Sequence, residues 1–284
     1  MTWANFHTHS HYCDGKGALS DYVTRALAWQ MPALGFSSHA PLPFDKPWCM
    51  AHDRLAHYID SINTLKASTR GIQLYAGLEV DFVPYRIKPT DFNGMLDYTV
   101  GSVHFVDELP DGTPWEIDGA HAHFLEGLEK IFHNNARAAM LRYIELTKQM
   151  VQTTCPTVVG HLDKIKIQNI DNKLFHEDEP WYREAIDDLL NSIAHEGAIL
   201  EVNTRGIYQK KSTTTYPSPW ILEQALKKDV PITLSSDAHH PDDLVNHFTE
   251  TAIVLRTIGF KTLTILYDGS WQPFPFTPDG LIIR

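Results

Sequence analysis

Seven short apolar runs along the chain each end in a side chain that can hold a metal ion or a phosphate group. The residues that end these runs are His9, His39, Glu79, His104, His161, Arg205 and His239. An apolar run of about five residues fits a buried β-strand, and parallel barrel enzymes place their chemistry at the carboxyl ends of such strands. The pattern therefore predicts an α/β barrel with a metal site at that end.

His7 and His9 form the first candidate metal-binding pair, because residues i and i+2 of a strand point to the same side and both imidazoles can reach one cation. Asp237 and His239 repeat this spacing in the last run, which barrel closure would bring beside the first. Together with the other strand-end residues, these side chains exceed the four to six ligands of one metal. We therefore expect more than one metal, with Glu79 able to bridge two cations about 3.5–4 Å apart.

The chain has sixteen histidines, so several must have ordinary structural roles. Those at helical or loop positions are expected to be structural, namely His52, His57, His133, His176, His195 and His247. His121 and His123 lie in a predicted loop or helix start, where residues i and i+2 diverge. His11 and His240 adjoin stronger candidates and could hold those ligands in place without contacting a metal themselves.

Helical periodicity occupies the segments between the predicted strands. The predicted helices cover residues 22–27, 55–65, 140–151 and 185–193, a helix with Ser218 as N-cap and Pro219 in its first turn, and a helix over 244–255 that ends at Gly259. The polar stretches 105–119 and 164–180 are predicted to be loops over the site. The tail, residues 271–284, is predicted to pack as an irregular strand or cap.

Length and composition favour one domain over residues 1–284. The net charge of −11 and the lack of a long basic cluster argue against nucleic-acid or anionic-membrane partners and favour a small substrate. Three scattered cysteines indicate a reducing compartment. With no apolar stretch of about 20 residues and no recognisable leader, the expected location is the cytoplasm.

The chain resembles the polymerase-and-histidinol-phosphatase (PHP) family. The resemblance rests on HTHSHYCDG at 7–15, SSHAP at 37–41, GLEVDF at 77–82, GSVHF at 101–105, GHLD at 160–163, EVNTRG at 201–206 and SSDAHHP at 235–241. Within the family the chain looks like the monofunctional phosphatases. The resemblance implies a distorted seven-stranded (β/α) barrel with a trinuclear metal centre that hydrolyses L-histidinol phosphate to L-histidinol and phosphate in histidine biosynthesis.

The resemblance also implies a distribution of ligands over three divalent metal ions of zinc, iron or manganese. The first metal would be held by His7, His9, Glu79 and Asp237, the second by Glu79, His104 and His161, and the third by Asp14, His39 and His239. Some relatives have histidine in place of Asp14. The carboxylate at this position shifts the preference of the third site toward harder cations such as iron or manganese.

The implied mechanism is attack on phosphorus by a metal-activated hydroxide, without a covalent enzyme intermediate, with Glu79 and Asp237 in the catalytic set. Asp163 is a candidate acid for the leaving alcohol, or else a structural group that orients a ligand. Arg205 is predicted to grip the substrate phosphate, the alternative being an ion pair with Glu201. Ser235 or Ser236 could hydrogen-bond the same phosphate, or cap the turn.

Other functions stay open at this point. The chain could be another phosphoesterase of the same family, acting on nucleotides, phosphotyrosine or a nucleic-acid phosphodiester. It could be a non-catalytic metal-binding scaffold, although all the presumed ligands are retained. A metal-dependent amidohydrolase would normally show a lysine or carboxylated bridge in place of Glu79. The oligomeric state is not predicted.

Overall fold

A computed structural model describes residues 2–283 and contains a curled parallel sheet of six strands. The strands of the chain are β1 (Ala33–Phe36), β2 (Gln73–Asp81), β3 (Tyr98–Ser102), β4 (Phe105–Glu108), β5 (Pro114–Glu116), β6 (Val158–Val159), β7 (Ile199–Asn203), β8 (Ile232–Ser235), β9 (Thr262–Tyr267), β10 (Ser270–Thr277) and β11 (Gly280–Leu281). The parallel sheet has the order β1–β2–β3–β6–β7–β8. Its strands are buried almost throughout, as expected for a parallel sheet covered by helices.

The predicted count of seven strands is not confirmed, because the first apolar run does not form a regular strand. It lies between the two edges of the sheet and is joined to each by isolated bridges, from Asn5 to Leu34 and from Thr8 to Ala238. The backbone amide of His9 donates to the carbonyl oxygen of Ala238 at 2.8 Å. The structure is thus an α/β fold whose sheet curls into part of a barrel.

Helices connect the strands and cover the outside of the sheet. They are α1 (Leu19–Ala28), α2 (Leu55–Ser68), α3 (His121–Phe132), α4 (Ala136–Thr154), α5 (Pro180–Glu196), α6 (Arg205–Tyr208), α7 (Pro219–Lys227) and α8 (Phe248–Ile258). The six helices predicted from periodicity are confirmed as α1, α2, α4, α5, α7 and α8. Two details differ: Leu244 lies before α8, and the Ser218 side chain binds Glu177 at 2.9 Å without capping α7.

Three segments predicted to be irregular contain regular structure. Residues 105–119 include the antiparallel hairpin of β4 and β5, and α3 begins at His121. The tail contributes most of β10 and all of β11, which form an antiparallel sheet with the preceding β9; Arg284 lies outside the described residues. Residues 164–180 follow the prediction more closely, since they form short 3₁₀ turns before α5.

The tail closes the amino-terminal end of the barrel, opposite the strand ends that carry the predicted site. The ring of Trp271 lies 4.9 Å from that of Phe6 and 5.9 Å from that of Tyr98, measured between centroids. Tyr98 fills the space next to Gly35 and Gly77, and its hydroxyl lies 2.8 Å from the carbonyl oxygen of Phe6. Within residues 2–283, no helix has both the length and the apolar character needed to cross a membrane.

Candidate metal centre

Glu79 lies at the centre of a buried cluster of histidines, in the carboxyl-terminal half of β2. Its Oε2 atom is 3.2 Å from His7 Nε2, 3.4 Å from His9 Nε2 and 3.0 Å from His39 Nδ1. These imidazoles come from the amino-terminal run and from the residues that follow β1. Neighbouring strands of a curled sheet bring their carboxyl ends together, which explains why side chains so distant in sequence meet here.

The other carboxylate oxygen of Glu79 faces a different pair of histidines. Its Oε1 atom is 2.9 Å from His161 Nε2 and 3.7 Å from His104 Nε2, and it accepts a hydrogen bond of 2.6 Å from Ser102 Oγ. The two oxygens therefore serve separate groups of nitrogen ligands. This is the arrangement that a carboxylate bridging two cations requires.

Asp237 supplies the second buried carboxylate, just after β8. Its Oδ1 atom lies 3.1 Å from His9 Nε2, 3.8 Å from His7 Nε2 and 3.4 Å from His239 Nδ1. The backbone of Asp237 has φ of 52°, in the left-handed region that non-glycine residues rarely adopt. Such strain is common at functional sites, and here it accompanies a carboxylate aimed into the cluster.

Asp14 completes a third group at the more open side of the cluster. Its Oδ2 atom is 3.2 Å from His239 Nε2, and its Oδ1 atom is 3.9 Å from His39 Nε2 and 4.0 Å from His9 Nδ1. The ligand atoms of these four residues lie within 4.8 Å of one another. Two further groups meet the same distance limit, His7 with His9 and Glu79, and His39 with Glu79 and His104.

The chemistry of the cluster fits divalent metal ions. His7 Nε2, His9 Nε2 and His39 Nδ1 are buried without a hydrogen-bond partner among the described residues, although each lies close to the Glu79 carboxylate. Buried polar atoms without partners are costly. Cations shared between these nitrogens and the carboxylates would satisfy them, and mixed imidazole and carboxylate donors suit zinc, iron or manganese.

Further carboxylates fix the orientation of the histidine rings. His7 Nδ1 is 2.5 Å from Glu201 Oε1, and the other oxygen of Glu201 accepts a hydrogen bond of 2.6 Å from the backbone amide of His161. His104 Nδ1 is 3.0 Å from Asp81 Oδ1. In metal sites such partners set which ring nitrogen is free to bind the cation.

The same carboxylates dominate the local electrostatics. Burial lowers the pKa of His7, but Glu201, Asp237 and Glu79 outweigh it and the pKa ends well above its ordinary value. Burial also lowers the pKa of His104, and the charge of Asp81 raises it to about 9. Although burial raises the pKa of Glu79, the surrounding histidines hold it well below its usual range. The cluster thus concentrates ionised carboxylates out of water, where they attract cations.

A cavity of about 160 Å³ opens beside the cluster. Arg205, at the start of α6, lines it, and its Nη1 atom donates to the carbonyl oxygen of Asp237 at 2.7 Å and contacts His239 Nδ1. Its acidic neighbour is Asp237, 3.7 Å away, whereas Glu201 is engaged with His7. The guanidinium therefore lies at the edge of the candidate metal centre.

Two other candidate residues have their contacts elsewhere. The Asp163 carboxylate accepts hydrogen bonds from Lys166 Nζ at 2.8 Å and from the backbone amide of Ser218 at 3.0 Å. These contacts agree with the structural alternative and give no support to Asp163 as the acid. Ser235 is the buried last residue of β8, and its carbonyl oxygen accepts from the Thr204 amide at 3.0 Å.

The four histidines that were weaker candidates in the sequence, His11, His121, His123 and His240, also have their contacts outside the cluster. His240 Nδ1 accepts a hydrogen bond of 3.2 Å from the Asp242 amide, so it supports a surface turn. His11 is exposed and packs on Tyr12. His121 binds Gln168 at 2.8 Å, and His123 lies 3.8 Å from Glu126 within α3.

Sequence reasoning missed several residues that shape the site. Glu201, considered from the sequence only as a partner of Arg205, lies inside β7, and Asp81 is the last residue of β2. A charged residue within or at the end of an apolar run is the signal that could have revealed their roles. Lys164 lies in the segment predicted to be a loop, three residues after His161; its Nζ atom is 2.9 Å from Asp118 Oδ2 and 3.3 Å from His104 Nε2. No local pattern distinguishes such a lysine from a surface one.

Comparisons with known proteins agree with this geometry. A family model described as "PHP domain" matches residues 5–205. A protein of Deinococcus radiodurans named "Probable histidinol-phosphatase" is 28% identical over 266 residues, which cover 91% of this chain and 94% of that protein. The Bacillus subtilis protein named "Histidinol-phosphatase" is 25% identical over 261 residues, covering 84% of this chain and 94% of that protein.

A solved structure shares the fold over the whole chain. It is a histidinol phosphate phosphatase from Lactococcus lactis subsp. lactis Il1403, complexed with zinc, L-histidinol and phosphate. The two structures superpose with a TM-score of 0.69 at 21% sequence identity, and the match covers 99% of each chain. At this identity the likeness establishes the shared fold.

Proposed function

The chain belongs to the PHP domain family, and we propose that it is a histidinol-phosphate phosphatase, a metal-dependent enzyme that releases phosphate from L-histidinol phosphate in histidine biosynthesis. The observation that carries the proposal is the position of Glu79, whose two carboxylate oxygens face separate groups of histidines beside a cavity lined by Arg205. The names of the relatives point to the same substrate.

The proposed ligands fall into three groups. His7, His9, Glu79 and Asp237 would hold one metal, Glu79, His104 and His161 a second, and Asp14, His39 and His239 a third. The distances around Glu79, Asp237 and Asp14 support this division, and His39 Nδ1 also lies 3.0 Å from Glu79 Oε2, between the first and third groups. Three divalent ions of zinc, iron or manganese suit the donors, and the carboxylate of Asp14 favours the harder of these cations at the third site.

The bound metals would supply Lewis acidity, lowering the pKa of a water molecule and neutralising charge on the phosphoryl oxygens. The protein's own side chains position the ester. The guanidinium of Arg205 offers a planar pair of donors that matches two phosphate oxygens. Glu201 and Asp81 keep His7 and His104 in their orientations, so the site is organised before the substrate enters.

The rest of the cavity suits the alcohol part of histidinol phosphate, which carries a cationic amine and an imidazole. Trp48, Glu116 and Asp118 line the same cavity as Arg205. The Trp48 ring packs against the His39 ring, with centroids 4.6 Å apart. An aromatic wall and two carboxylates are suitable partners for a protonated amine and an imidazole.

We also propose that residues 1–284 form one domain, in which residues 5–9 take the place of a seventh strand of the barrel. The hydrogen bonds from this segment to both edges of the sheet support that role.

The contacts of Asp163 favour a structural role for it, through Lys166 and Ser218. Ser235, at the end of β8, remains a candidate for the phosphate or for the turn.

Phosphate release from a panel of phosphomonoesters, with metal analysis of the same preparation, tests the proposed function. The panel holds histidinol phosphate, p-nitrophenyl phosphate, a nucleoside monophosphate and phosphotyrosine. We expect histidinol phosphate to have the highest kcat/KM. A preference for the nucleotide or phosphotyrosine would instead indicate a general phosphoesterase of the same family, and no turnover by metal-loaded protein would indicate a scaffold.

A further inference from the structure

We propose that Lys164 is a second phosphate-binding cation of the site, which contacts the substrate phosphate from a different part of the cluster than Arg205. This inference rests on the proposed function, because it assigns a further binding residue to the same cavity. Arg205 lies next to Asp237 and His239, whereas Lys164 lies next to His104. A phosphate between them would meet positive side chains from two directions.

The position of Lys164 is unusual for a lysine. Its side chain is only 11% exposed, and a buried ammonium is costly unless it is paired. One pairing is present, with Asp118 Oδ2 at 2.9 Å, and the other close atom is His104 Nε2 at 3.3 Å. An ammonium has three N–H donors. These two contacts leave one donor for an anion in the cavity that Lys164 lines.

The contact with His104 also bears on the role of Lys164. In the proposed centre, His104 Nε2 is a metal ligand, so its lone pair cannot also accept a hydrogen bond from the ammonium. When the metal is bound, Lys164 keeps Asp118 as its partner and gains a second free donor beside the metal. An ammonium at that place would be repelled by the metal unless an anion lay between them.

The charges around the cavity support an anionic occupant. Lys211 lies at the cavity rim together with Arg205 and Lys164. Its pKa is lowered, first by burial and then by the positive charges of Arg205 and Lys164. Four carboxylates line the same cavity, but each already has a partner: Asp14 with His239, Glu116 with Lys46, Asp118 with Lys164 and Asp237 with His9. A phosphate dianion would relieve the mutual repulsion of the three cationic side chains.

A purely structural ion pair between Lys164 and Asp118 is the alternative. The pair of Lys46 and Glu116 provides an internal comparison, with Nζ and Oε2 2.9 Å apart. In that pair the carboxylate lines the cavity and the lysine does not. In the pair of Lys164 and Asp118 both members line it, and the ammonium contacts a histidine of the cluster. This difference favours a binding role for Lys164.

The test compares Lys164→Met with Lys164→Arg and with the control Lys210→Met. Methionine keeps the length and apolar stem of lysine without its charge. Lys210 is exposed and does not line the cavity. For each metal-loaded protein we would measure metal content, the affinity for inorganic phosphate by calorimetry, and KM and kcat for histidinol phosphate.

We expect Lys164→Met to keep its metals and to bind inorganic phosphate about tenfold to a hundredfold more weakly, which is the range of one charge-assisted hydrogen bond. Its KM should rise in parallel. Lys164→Arg should retain part of the affinity, and Lys210→Met should match the wild type. The double variant Lys164→Met/Asp118→Asn leaves no unpaired buried carboxylate, so it stays informative if the single variant misfolds. It should show the same loss of affinity for inorganic phosphate, which does not depend on the proposed contact of Asp118 with the substrate amine.

Unchanged phosphate affinity in a folded, metal-loaded variant lacking Lys164 would overturn the inference. Loss of metal from both Lys164→Met and the double variant would overturn it too, because Lys164 would then support the metal centre. The proposed function fails separately: a wild-type enzyme that binds phosphate through Lys164 yet does not hydrolyse histidinol phosphate would keep the inference and reject the substrate.

Discussion

Glu79 is the side chain on which the proposed chemistry depends most directly. Its carboxylate is buried, with a relative exposure of 1%, and its negative charge would lie between two cations. Glu79→Gln keeps the shape and removes the charge. We expect the variant to lose most of its activity and part of its metal while the fold is retained, as measured by turnover, metal stoichiometry and circular dichroism on one sample. Near-normal turnover with full metal occupancy would remove Glu79 from the bridging role.

Arg205 allows substrate binding to be separated from metal binding. Replacing it with alanine should raise KM with the metals retained. Loss of the paired charge-assisted hydrogen bonds from the guanidinium to the phosphate should cost roughly 2–4 kcal/mol in kcat/KM. Lysine should restore only part of this, because it has the charge without the planar geometry. Steady-state kinetics with histidinol phosphate provides the measurement. If the alanine variant keeps its kcat/KM, other groups hold the phosphate.

At the residue scale, the sequence was most informative where a ligand ends an apolar run. His9, His39 and Glu79 were predicted as candidate ligands in this way, and both imidazoles lie within 3.4 Å of Glu79 Oε2, because strand ends of a parallel barrel meet in space. Asp118 and Lys164 could not, because they lie on irregular segments whose path depends on tertiary packing. Their approach to the cluster can be seen only in three dimensions.

At the scale of elements, Tyr98 shows how closely the strands must pack to bring the ligands together. A Cβ atom at Gly77 would lie 2.5 Å from Tyr98 Cζ, which is closer than atoms can approach. Gly77→Ala should therefore destabilise the protein by about 1–3 kcal/mol through overpacking, as measured by urea unfolding. Gly119→Ala serves as the control, since its nearest contact would be an ordinary 3.7 Å. Equal stability of the two variants would contradict this account of the packing.

The elements predicted from the sequence were those with strong periodicity. The helices α2, α4 and α5 could be predicted because their apolar residues recur at helical spacing. The hairpin of β4 and β5 was missed, since its strands are short and its turn, with Gly112 at φ of 84°, looks like any polar loop. The prolines of the tail argued for irregular structure, yet β10 accommodates Pro273 and Pro275 opposite β9.

At the scale of the whole molecule, the metals should stabilise the folded protein as well as support its catalytic activity. Glu79, Asp237 and Glu201 are ionised carboxylates with at most 2% exposure, and cations bound among them favour the native state over the unfolded one. Removing the metals with a chelator should abolish turnover and lower Tm by several degrees, and adding zinc, iron or manganese back should restore both. A Tm unaffected by the chelator, with metal loss verified by elemental analysis, would argue against metals in this cluster.

The most direct test of the central claim is the ratio of kcat/KM for histidinol phosphate to that for p-nitrophenyl phosphate, with purified, metal-loaded enzyme. The amine and imidazole of histidinol phosphate can use the aromatic and acidic side chains of the cavity, and such remote contacts raise turnover as well as affinity when they persist in the transition state. We therefore predict a ratio on the order of 10² or more, although p-nitrophenol is the better leaving group. Equal kcat/KM values for the two esters would contradict the assignment of histidinol phosphate as the substrate.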